Sequence, residues 1–549
     1  MRYCGMFEGA SIQITDTTVI NYINELKTNY EHQIHKLKNK AILFENKYLE
    51  IKERYDLLIY KRFMRSAEQF TDNKQQQLFT PEAEAVEDVP SEDEKESTAN
   101  SEVTEVKSYT RNKPGRKPIN PDIPREEKII DIPEEDKKCA CGADLAKIGE
   151  ETNEKLHIIA PRIYVVKTIR PKYACRHCEG VEEEGEKPTV KIAPIEPTII
   201  PRSIASPSLL STVFIGKFED HNPYYRQEKQ FERIGVEISR QDMSNWQQLV
   251  YKALLPLVLI IKNLIKSGPF IQMDETSVQV MSNYKLNEEK PEEKKTRNIE
   301  TAWMWLARGG PPDQKVIWYE YHESRGGKHA KEILEGYSGY LQTDGYEAYD
   351  SAVKDNPQII HVGCFAHARR KFFEASKASK NNKSAEEGIK HIRKLYMLED
   401  KLRSEKLTDE EFVKKRKKEA APILEEFKSW LLKRANEVPP ENLMGKAINY
   451  SLRQWDKMTA YLESCHLTPD NNACERAIRP FVIGRKNWLM AGSPEGAKSS
   501  CAIYSLIETA KQNDIIPAHY LTALFEKAPY AKSSEDWEKL LPWNIFRND

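Results

Sequence analysis

The spacing of apolar residues predicts a long amino-terminal helix. From residue 20 to residue 58, mostly apolar or aromatic residues recur at alternating steps of three and four, and the other positions are almost wholly polar. The seam consists of Ile20, Ile23, Lys27, Tyr30, Ile34, Leu37, Ala41, Phe44, Tyr48, Ile51, Tyr55 and Leu58. These steps are typical of a coiled coil, which predicts a homo-oligomer. The alternative is a long helix packed on its own domain, and Lys27 and the tyrosines leave the stoichiometry open.

A second pattern, in the middle of the chain, predicts a sheet. β-branched and apolar residues dominate five segments, which are 269–280, 301–307, 315–321, 339–344 and 359–363. A turn rich in glycine and proline joins the second segment to the third as a hairpin, and a short helix is predicted at 327–336. Three strands, a helix, a strand, a helix and a strand is the order of a ribonuclease H-like sheet. In that fold the first and fourth strands are neighbours.

Two acids lie on strands that this order makes neighbours. Asp274 is in the middle of the first strand and Asp344 ends the fourth, so both would reach one site. Glu275 would point to the opposite face of its strand and is left out. A third acid is expected on a later helix, and Glu475 is the candidate. An isolated acid such as Asp274 would otherwise be interpreted as a solvated residue of an edge strand.

The predicted cluster of Asp274, Asp344 and Glu475 indicates a metal site. Converging carboxylates repel one another unless a cation joins them. Mg²⁺ takes oxygen ligands of this kind. Two such ions close together activate the attacking oxygen and stabilise the leaving one in phosphodiester chemistry. The sequence therefore predicts an enzyme that cuts or joins nucleic acid.

Four motifs carry a resemblance to a known family. They are Asp344-Gly-Tyr-Glu-Ala-Tyr349, Gly363-Cys-Phe-Ala-His-Ala-Arg-Arg-Lys-Phe372, Asp470-Asn-Asn-Ala-Cys-Glu-Arg-Ala-Ile-Arg-Pro480 and Gly484-Arg-Lys-Asn-Trp488. These motifs resemble the insertion sequence 66 family of bacterial transposases, and the resemblance covers nearly the whole chain. It implies that Asp274, Asp344 and Glu475 are a DDE catalytic triad that binds Mg²⁺ or Mn²⁺. It also implies a helical insertion, at about 370–462, between the last two acids.

Further side chains near these motifs are candidates for contacts with DNA. Arg369 follows the fifth strand, Arg479 lies one helical turn after Glu475, and Arg485, Lys486 and Trp488 combine cations with an aromatic ring. Each has a structural alternative. Arg369 could belong to a helix start bonded to backbone, Arg479 could simply pair with Glu475, and the last three could form a basic loop whose Trp fills the core.

Residues 200–266 form a predicted helical region of the helix-turn-helix kind. Three helices are expected, and Ser239 could cap the third. That helix opens with Arg240, Gln241 and Asn245, whose side chains can reach phosphates and base edges. The alternative, of equal weight, is an ordinary helical subdomain packed against the sheet.

Two close cysteine pairs predict a zinc-binding module at 121–190. Cys139 and Cys141 precede a β-rich segment, and Cys175 and Cys178 follow it, which suits a tetrahedral Zn²⁺ site. The first pair has only one intervening residue, which is tighter than usual, and His177 could substitute for a cysteine. The alternative is four reduced thiols. The insertion sequence 66 family has a zinc-finger-like module at this place, which favours zinc.

Composition and charge add a linker and a cellular location. The net charge of −1 says nothing about a nucleic-acid partner. Ten acids against one base fall between residues 82 and 105, so 66–120 is predicted to be a disordered linker, acidic and then basic. Its end contains Arg116 and Lys117, which could lie in a minor groove or stay solvated. Without a signal peptide or a membrane-length apolar run, we expect a soluble bacterial protein that is cytoplasmic, associated with the nucleoid and not bound to a membrane.

The sequence as a whole predicts a multidomain α+β transposase. The expected parts are a coiled-coil helix (15–65), the linker, the zinc-binding β module, the helix-turn-helix-like region, a ribonuclease H-like α/β catalytic domain with its helical insertion (267–505) and a carboxy-terminal helical segment (506–549). The expected partners are double-stranded DNA, as transposon ends and target, and, by resemblance, small accessory proteins of the same element. Two alternatives are a non-catalytic coiled-coil DNA-binding regulator of the element and a nuclease that hydrolyses without joining. The intact triad of acids argues against the regulator.

Overall fold

The computed structural model describes residues 17–63, 163–174, 190–281, 299–378 and 383–547. Most of the predicted linker and zinc module, with Arg116, Lys117 and the four paired cysteines, lies outside these residues. The chain divides into two compact units, one from Glu82 to Pro194 and the other from the remaining residues.

The amino-terminal helix α1 spans Thr17–Phe63, as the spacing of its apolar residues predicts. Eight residues of the seam are each at least 51% exposed. They are Tyr30, Ile34, Leu37, Phe44, Tyr48, Ile51, Tyr55 and Leu58. A different face of the same helix packs on its own domain, because the Glu53 carboxylate accepts a hydrogen bond from the Leu443 amide at 3.0 Å. Glu50 is also 3.2 Å from the Lys446 ammonium group.

The unit between residues 82 and 194 contributes one described antiparallel strand pair. Its strands are β1 (Lys172–Ala174) and β2 (Val190–Ile192). The β-rich segment expected between residues 155 and 169 has no strand in its described part, residues 163–169.

The helical region before the sheet contains the three predicted helices. They are α2 (Pro207–Phe218), α3 (Tyr224–Arg233) and α4 (Arg240–Ala253), and α5 (Leu255–Leu264) follows. Ser239 caps α4 as predicted, because its hydroxyl accepts from the Asp242 amide at 3.1 Å and the Asp242 carboxylate accepts from the Ser239 amide at 3.3 Å. Helix α4 runs seven residues beyond its predicted end, since Val250 continues its buried face.

The central sheet has the strand order β5-β4-β3-β6-β7. Its strands are β3 (Phe270–Met281), β4 (Ile299–Gly309), β5 (Val316–His322), β6 (Gly339–Gln342) and β7 (Ile359–Val362). The first three are antiparallel, whereas β6 and β7 run parallel to β3. All five predicted strands are present, but the fourth ends at Gln342, so Asp344 lies just beyond it.

Helices cover the sheet and fill the gap between the second and third candidate acids. Helices α6 (Gly327–Ile333) and α7 (Glu347–Lys354) flank β6. The next five are α8 (Phe365–Ala378), α9 (Lys383–Ser404), α10 (Asp409–Ala435), α11 (Leu443–Arg453) and α12 (Trp455–Thr459). These five helices share a hydrophobic core separate from that of the sheet. No strand occurs in the described residues between 365 and 462, as predicted from composition.

The last elements return to the sheet. They are α13 (Asn472–Trp488), β8 (Met490–Ala491), α14 (Pro494–Gln512), α15 (Pro517–Lys527) and α16 (Ser534–Lys539). Strand β8 pairs in parallel with the far end of β3, so both ends of α13 lie close to that strand. Among the described helices, none is long and apolar enough by itself to cross a membrane; α4 and α5, bent by 63°, pass that test only as a pair.

Candidate active site

Strand register brings the first two candidate acids to one edge of the sheet. Strands β3 and β6 pair Gln272 with Gln342, and two residues further along each chain lie Asp274 and Asp344. The Asp344 carboxylate accepts from the Tyr346 amide at 2.9 Å, which closes a tight turn. Gly345 takes φ +92° in this turn, a conformation that favours glycine. The turn therefore fixes Asp344 at the end of β6.

The amino-terminal end of α13 is attached to the same part of the sheet. Asn471 donates from its side-chain amide to the Met273 carbonyl at 3.0 Å, one residue before Asp274. Gln272 donates to the Asp470 carbonyl at 3.4 Å. Because Glu475 lies in the first turn of α13, these bonds hold the turn of the third acid against the strand of the first.

Buried groups near the first turn of α13 are influenced by the charges of Asp274 and Asp344. Cys474 is buried beside Glu475, and burial raises the pKa of its thiol, followed in effect by the negative charge of Asp274. Burial also raises the pKa of the Glu275 carboxyl, and Asp344 adds repulsion. A cation at this site would relieve the repulsion between neighbouring carboxylates.

Glu275 belongs to a supporting network. Its side chain is 1% exposed and forms an ion pair with Arg325 at 2.6 Å, and it also accepts a hydrogen bond from Tyr349. Arg325 in turn lies over the ring of Tyr346, 3.9 Å from the ring centre. Because Tyr346 belongs to the turn after Asp344, this network connects β3, which carries Asp274, to the turn that carries Asp344.

Behind Asp344, a buried histidine supports the end of β6. His361 on β7 lies with Nε2 2.8 Å from the Thr343 hydroxyl and Nδ1 2.9 Å from Asp350. Lys457 also contacts Asp350. Burial, and then the charge of Lys457, lower the pKa of His361 to about 4. The imidazole is therefore neutral at physiological pH.

Glu475 faces α8 in this structure. Its side chain is 8% exposed, and neither carboxylate oxygen has a hydrogen-bond partner in the part of the chain that the structure describes. His367 Nε2 and Arg370 Nη2 each lie 3.7 Å from this carboxylate. Cys364, His367 and Glu475 have ligand atoms within 4.8 Å of one another, whereas no such group among the described residues contains all three candidate acids.

The donor set at the acids fits a divalent metal. A buried carboxylate whose oxygens lack hydrogen bonds is costly, and it can ligate a cation instead. Asp274 and Asp344 are only partly buried, so the edge that they share is open to a substrate. The carboxylates of Asp274, Asp344 and Glu475 are therefore the type of ligand that Mg²⁺ or Mn²⁺ takes, although Glu475 faces α8 in this structure.

The two arginines of α8 have different positions. Arg369 is 8% exposed and lies beside the buried Tyr396, so it is not placed for DNA. Its neighbour Arg370, which is not among the residues predicted from the sequence, is the arginine that approaches Glu475. On a helix, residues three apart share a face, so His367 could have indicated Arg370. Arg479, one turn after Glu475 on α13, is half-buried.

The end of α13 corrects another sequence interpretation. Residues 484–488 are helix, not loop. Arg485 donates to the Thr276 hydroxyl at 3.0 Å and to the Ser277 hydroxyl at 3.1 Å, so it fastens α13 to β3. Trp488 packs against Phe481 with ring centres 5.5 Å apart, in line with the structural alternative. Lys486 alone of the three predicted DNA contacts here is exposed.

The first turns of α4 present the polar side chains that the helix-turn-helix interpretation singled out. Arg240, Gln241 and Asn245 are all exposed, and Gln241 donates to Asn245 at 2.9 Å. The opposite face of α4 is buried and includes Gln247, which donates to Ser499 at 2.6 Å. The helix therefore packs on its own domain through one face and offers a polar face to solvent.

Comparison with protein families decides the class of the chain. Residues 202–499, which are 298 of 549 residues, match the model described as Transposase IS66 family. The chain belongs to this family. The IS66 C-terminal element matches residues 505–543, and the zinc-finger binding domain of transposase IS66 matches residues 136–179. Residues 50–127 match a model described as Transposase C of IS166 homeodomain. The family predicted from the four sequence motifs is thus confirmed, and a transposase role follows.

The IS66 chain is also similar to three proteins of Sinorhizobium fredii (strain NBRC 101917 / NGR234). Uncharacterized protein y4hP is 30% identical over 470 residues, covering 82% of this chain and 80% of the relative. Uncharacterized protein y4qI is 30% identical over 476 residues, covering 82% and 84%. Uncharacterized protein y4jD is 30% identical over 432 residues, covering 77% and 80%.

Proposed function

We propose that this IS66 transposase binds the ends of an insertion sequence, cleaves them and transfers the freed 3′ ends to target DNA. The observation that supports the proposal is the register of β3 and β6, which pairs the residues two positions before Asp274 and Asp344, together with the bond from Asn471 to Met273. The same bond attaches the first turn of α13, which carries Glu475, to the strand of Asp274. We assign the three acids as the DDE triad.

The sheet supports the assignment of a ribonuclease H-like catalytic domain. Its first three strands are antiparallel and its last two are parallel to the first, in the order 3-2-1-4-5. The candidate acids lie on the first strand, just after the fourth strand and on a later helix. This is the arrangement that the sequence predicts for that fold.

The reaction needs no change of oxidation state and no external energy source. A water oxygen attacks phosphorus at the transposon end, and the 3′ oxygen leaves as a hydroxyl. That hydroxyl oxygen then attacks a target phosphorus, and the target 3′ oxygen leaves. Mg²⁺ or Mn²⁺ held by Asp274, Asp344 and Glu475 would supply Lewis-acid activation of the attacking oxygen and stabilisation of the leaving one.

DNA contacts would come from the exposed basic and polar residues. Arg240, Gln241 and Asn245 form one exposed polar face, and Lys486 lies at the far end of the triad helix. Cations of this kind bind the phosphate backbone by releasing counterions. Arg116 and Lys117 would add contacts from the linker, and Zn²⁺ bound by Cys139, Cys141, Cys175 and Cys178 would fold the module between them and the helical region.

A second copy of the chain is the proposed partner of the α1 seam. The seam residues have coiled-coil spacing, they are exposed, and α1 packs on its own domain through another face. A dimer would hold two transposon ends together. Such a complex would act on the nucleoid in the cytoplasm, with accessory proteins of the element as further partners.

A strand-transfer assay tests the proposal. The full-length protein is incubated with a labelled oligonucleotide that carries the terminal sequence of its element, target plasmid and Mg²⁺. Joined products that disappear in Asp274→Asn support the transposase. Cleavage without joining would indicate the nuclease alternative, and binding without either product would indicate the non-catalytic regulator.

A further inference from the structure

A second group of metal-ligating side chains lies at the end of β5 and on α6. His322 ends β5, whereas His329 and Glu332 lie three residues apart on α6. One ligand atom of each residue lies within 4.8 Å of those of the other two. Glu332 Oε2 is 3.1 Å from His329 Nδ1 and 3.9 Å from His322 Nδ1. None of the three belongs to the proposed triad.

The second nitrogen of each ring faces an oxygen. His329 Nε2 is 3.0 Å from the Ser324 hydroxyl, and His322 Nε2 is 3.7 Å from the Glu320 carboxylate. Histidines that bind metals usually donate their other ring N–H to an oxygen, which fixes the tautomer and the ring orientation. Both rings thus present Nδ1 to Glu332, and the Ser324 hydroxyl supports the ring of His329 in this way.

Hydrogen bonding alone does not account for His322. Its Nε2 atom is buried without a hydrogen-bond partner among the described residues, and its Nδ1 is too far from Glu332 for a hydrogen bond. Its ring lies against that of His329, with centres 4.1 Å apart. The histidine side chains are 12% and 9% exposed, whereas Glu332 is 60% exposed, so an ion could enter from the carboxylate side.

We propose that His322, His329 and Glu332 bind a divalent transition cation of borderline softness, such as Zn²⁺, with a water as fourth ligand. Tetrahedral ligands at about 2.0–2.1 Å from Zn²⁺ lie about 3.3 Å from one another. The ligand atoms here lie within 4.8 Å of one another, so each pair would approach by no more than about 1.5 Å on binding. Mg²⁺ and Ca²⁺ prefer oxygen ligands, so two imidazoles select against them.

The bound ion fastens the edge strand β5 to α6. The segment between the ligands contains Arg325, which pairs with Glu275 next to Asp274. Metal binding therefore restrains the loop that supports the sheet at the candidate acids. This role is separate from that of the cations at the triad, and it does not depend on the proposed function.

Zinc titration of the full-length chain tests the site. Wild-type protein is compared with Glu332→Gln and with the matched control Glu335→Gln, two residues beyond α6 on the same surface. Because Glu332 is exposed, its variant should keep the fold, which a thermal melt in chelator verifies. We expect Glu332→Gln to bind one Zn²⁺ fewer per chain, or that ion at least tenfold more weakly, and Glu335→Gln to match wild type.

Co²⁺ substitution separates this site from the cysteine module. Wild type should bind one more Co²⁺ than Glu332→Gln. The difference between their absorption spectra should contain no thiolate charge-transfer band, because the ligands of this ion are nitrogen and oxygen. Equal zinc affinity and stoichiometry in wild type and Glu332→Gln, or an equal loss in Glu335→Gln, would overturn the proposal.

Discussion

The side-chain amide of Asn471 donates to the backbone carbonyl of Met273 at 3.0 Å. Asn471 is fully buried and immediately precedes α13, and Met273 immediately precedes Asp274. This hydrogen bond therefore attaches the first turn of the helix that carries Glu475 to the strand that carries Asp274.

Asn471→Ala should lower both stability and cleavage. The substitution leaves the buried Met273 carbonyl without this donor, which should reduce the free energy of unfolding by about 1–3 kcal/mol. Cleavage of transposon ends should fall further than the folded fraction does, because the first turn of α13 loses its attachment. Urea denaturation and a cleavage assay on the folded protein measure the two effects. The control is Asn442→Ala, which removes a helix cap in the insertion. If cleavage falls only in proportion to the loss of stability in both variants, Asn471 has no positioning role.

Glu475→Gln should abolish catalysis while sparing DNA binding. The variant keeps the size of the side chain but removes the charge that would hold a cation. Metal-stabilised charge supplies several kcal/mol, and each ~1.4 kcal/mol is tenfold in rate, so cleavage should fall by several orders of magnitude. End binding, measured by gel shift, should persist because phosphate contacts come from cations. The control Glu463→Gln changes an exposed acid of the insertion. Near-wild-type cleavage by Glu475→Gln in Mg²⁺ would remove this residue from the triad.

Acid should destabilise the protein through His361. Its pKa is about 4 in the folded state and 6.5 in the unfolded chain, so only the unfolded state binds this proton between those values. The free energy of unfolding therefore falls as pH drops from 6.5 to 4, by up to about 3 kcal/mol from this group. Denaturant melts at several pH values give the unfolding free energy as a function of pH. This free energy should change less with pH for His361→Gln than for wild type, whereas the exposed His519→Gln should show the wild-type dependence. Parallel curves for wild type and His361→Gln would refute the assignment.

Charges in the α1 seam should prevent self-association. Leu37→Glu combined with Phe44→Glu places like charges at facing positions of a coiled coil, and light scattering should then report the monomer mass. Lys40→Glu with Lys47→Glu changes charge on exposed positions outside the seam and should leave the oligomer intact. If the seam variant has the wild-type mass, the seam is not an oligomer interface.

Removal of one thiol should release zinc from the cysteine module. Cys175→Ser should lower the zinc content by one ion per chain and weaken DNA binding, while the sheet stays folded, because the ligands lie outside its core. Cys465→Ser, just after the helical insertion, should keep wild-type zinc. Elemental analysis after gentle purification measures both. Wild-type protein without stoichiometric zinc would exclude the site.

The sequence was sufficient to predict the strands, including the pairing of the strand that carries Asp274 with the strand that precedes Asp344. β-branched and apolar residues indicate β3 and β6, and the order of the elements predicts that these two strands are neighbours, as their pairing confirms. The predicted end of β6 is wrong by two residues, because Asp344 lies in a turn that its hydrogen bond with the Tyr346 amide closes. The pattern of apolar residues does not indicate such a contact.

Long-range packing explains what the sequence could not provide. The first turn of α13, which carries Glu475, follows the helical insertion and is attached to β3 through Asn471. No residue pattern near Glu475 indicates this attachment. Arg485 and Trp488 look like a DNA-binding pair in isolation, but Thr276 and Phe481 engage them within the fold. The cluster of His322 and Glu332 joins a strand to a helix and has no short sequence motif.

The attachment of α1 has a thermodynamic consequence. Its carboxy-terminal half is held by Glu50 and Glu53, whereas the stretch from Tyr30 to Phe44 has exposed apolar side chains. A solitary helix of that length is marginal in water. Helix formation from Tyr30 to Phe44 and binding of a second copy are therefore coupled, so the helical fraction of this stretch depends on protein concentration. The helical signal in circular dichroism should consequently rise with protein concentration and decline on dilution.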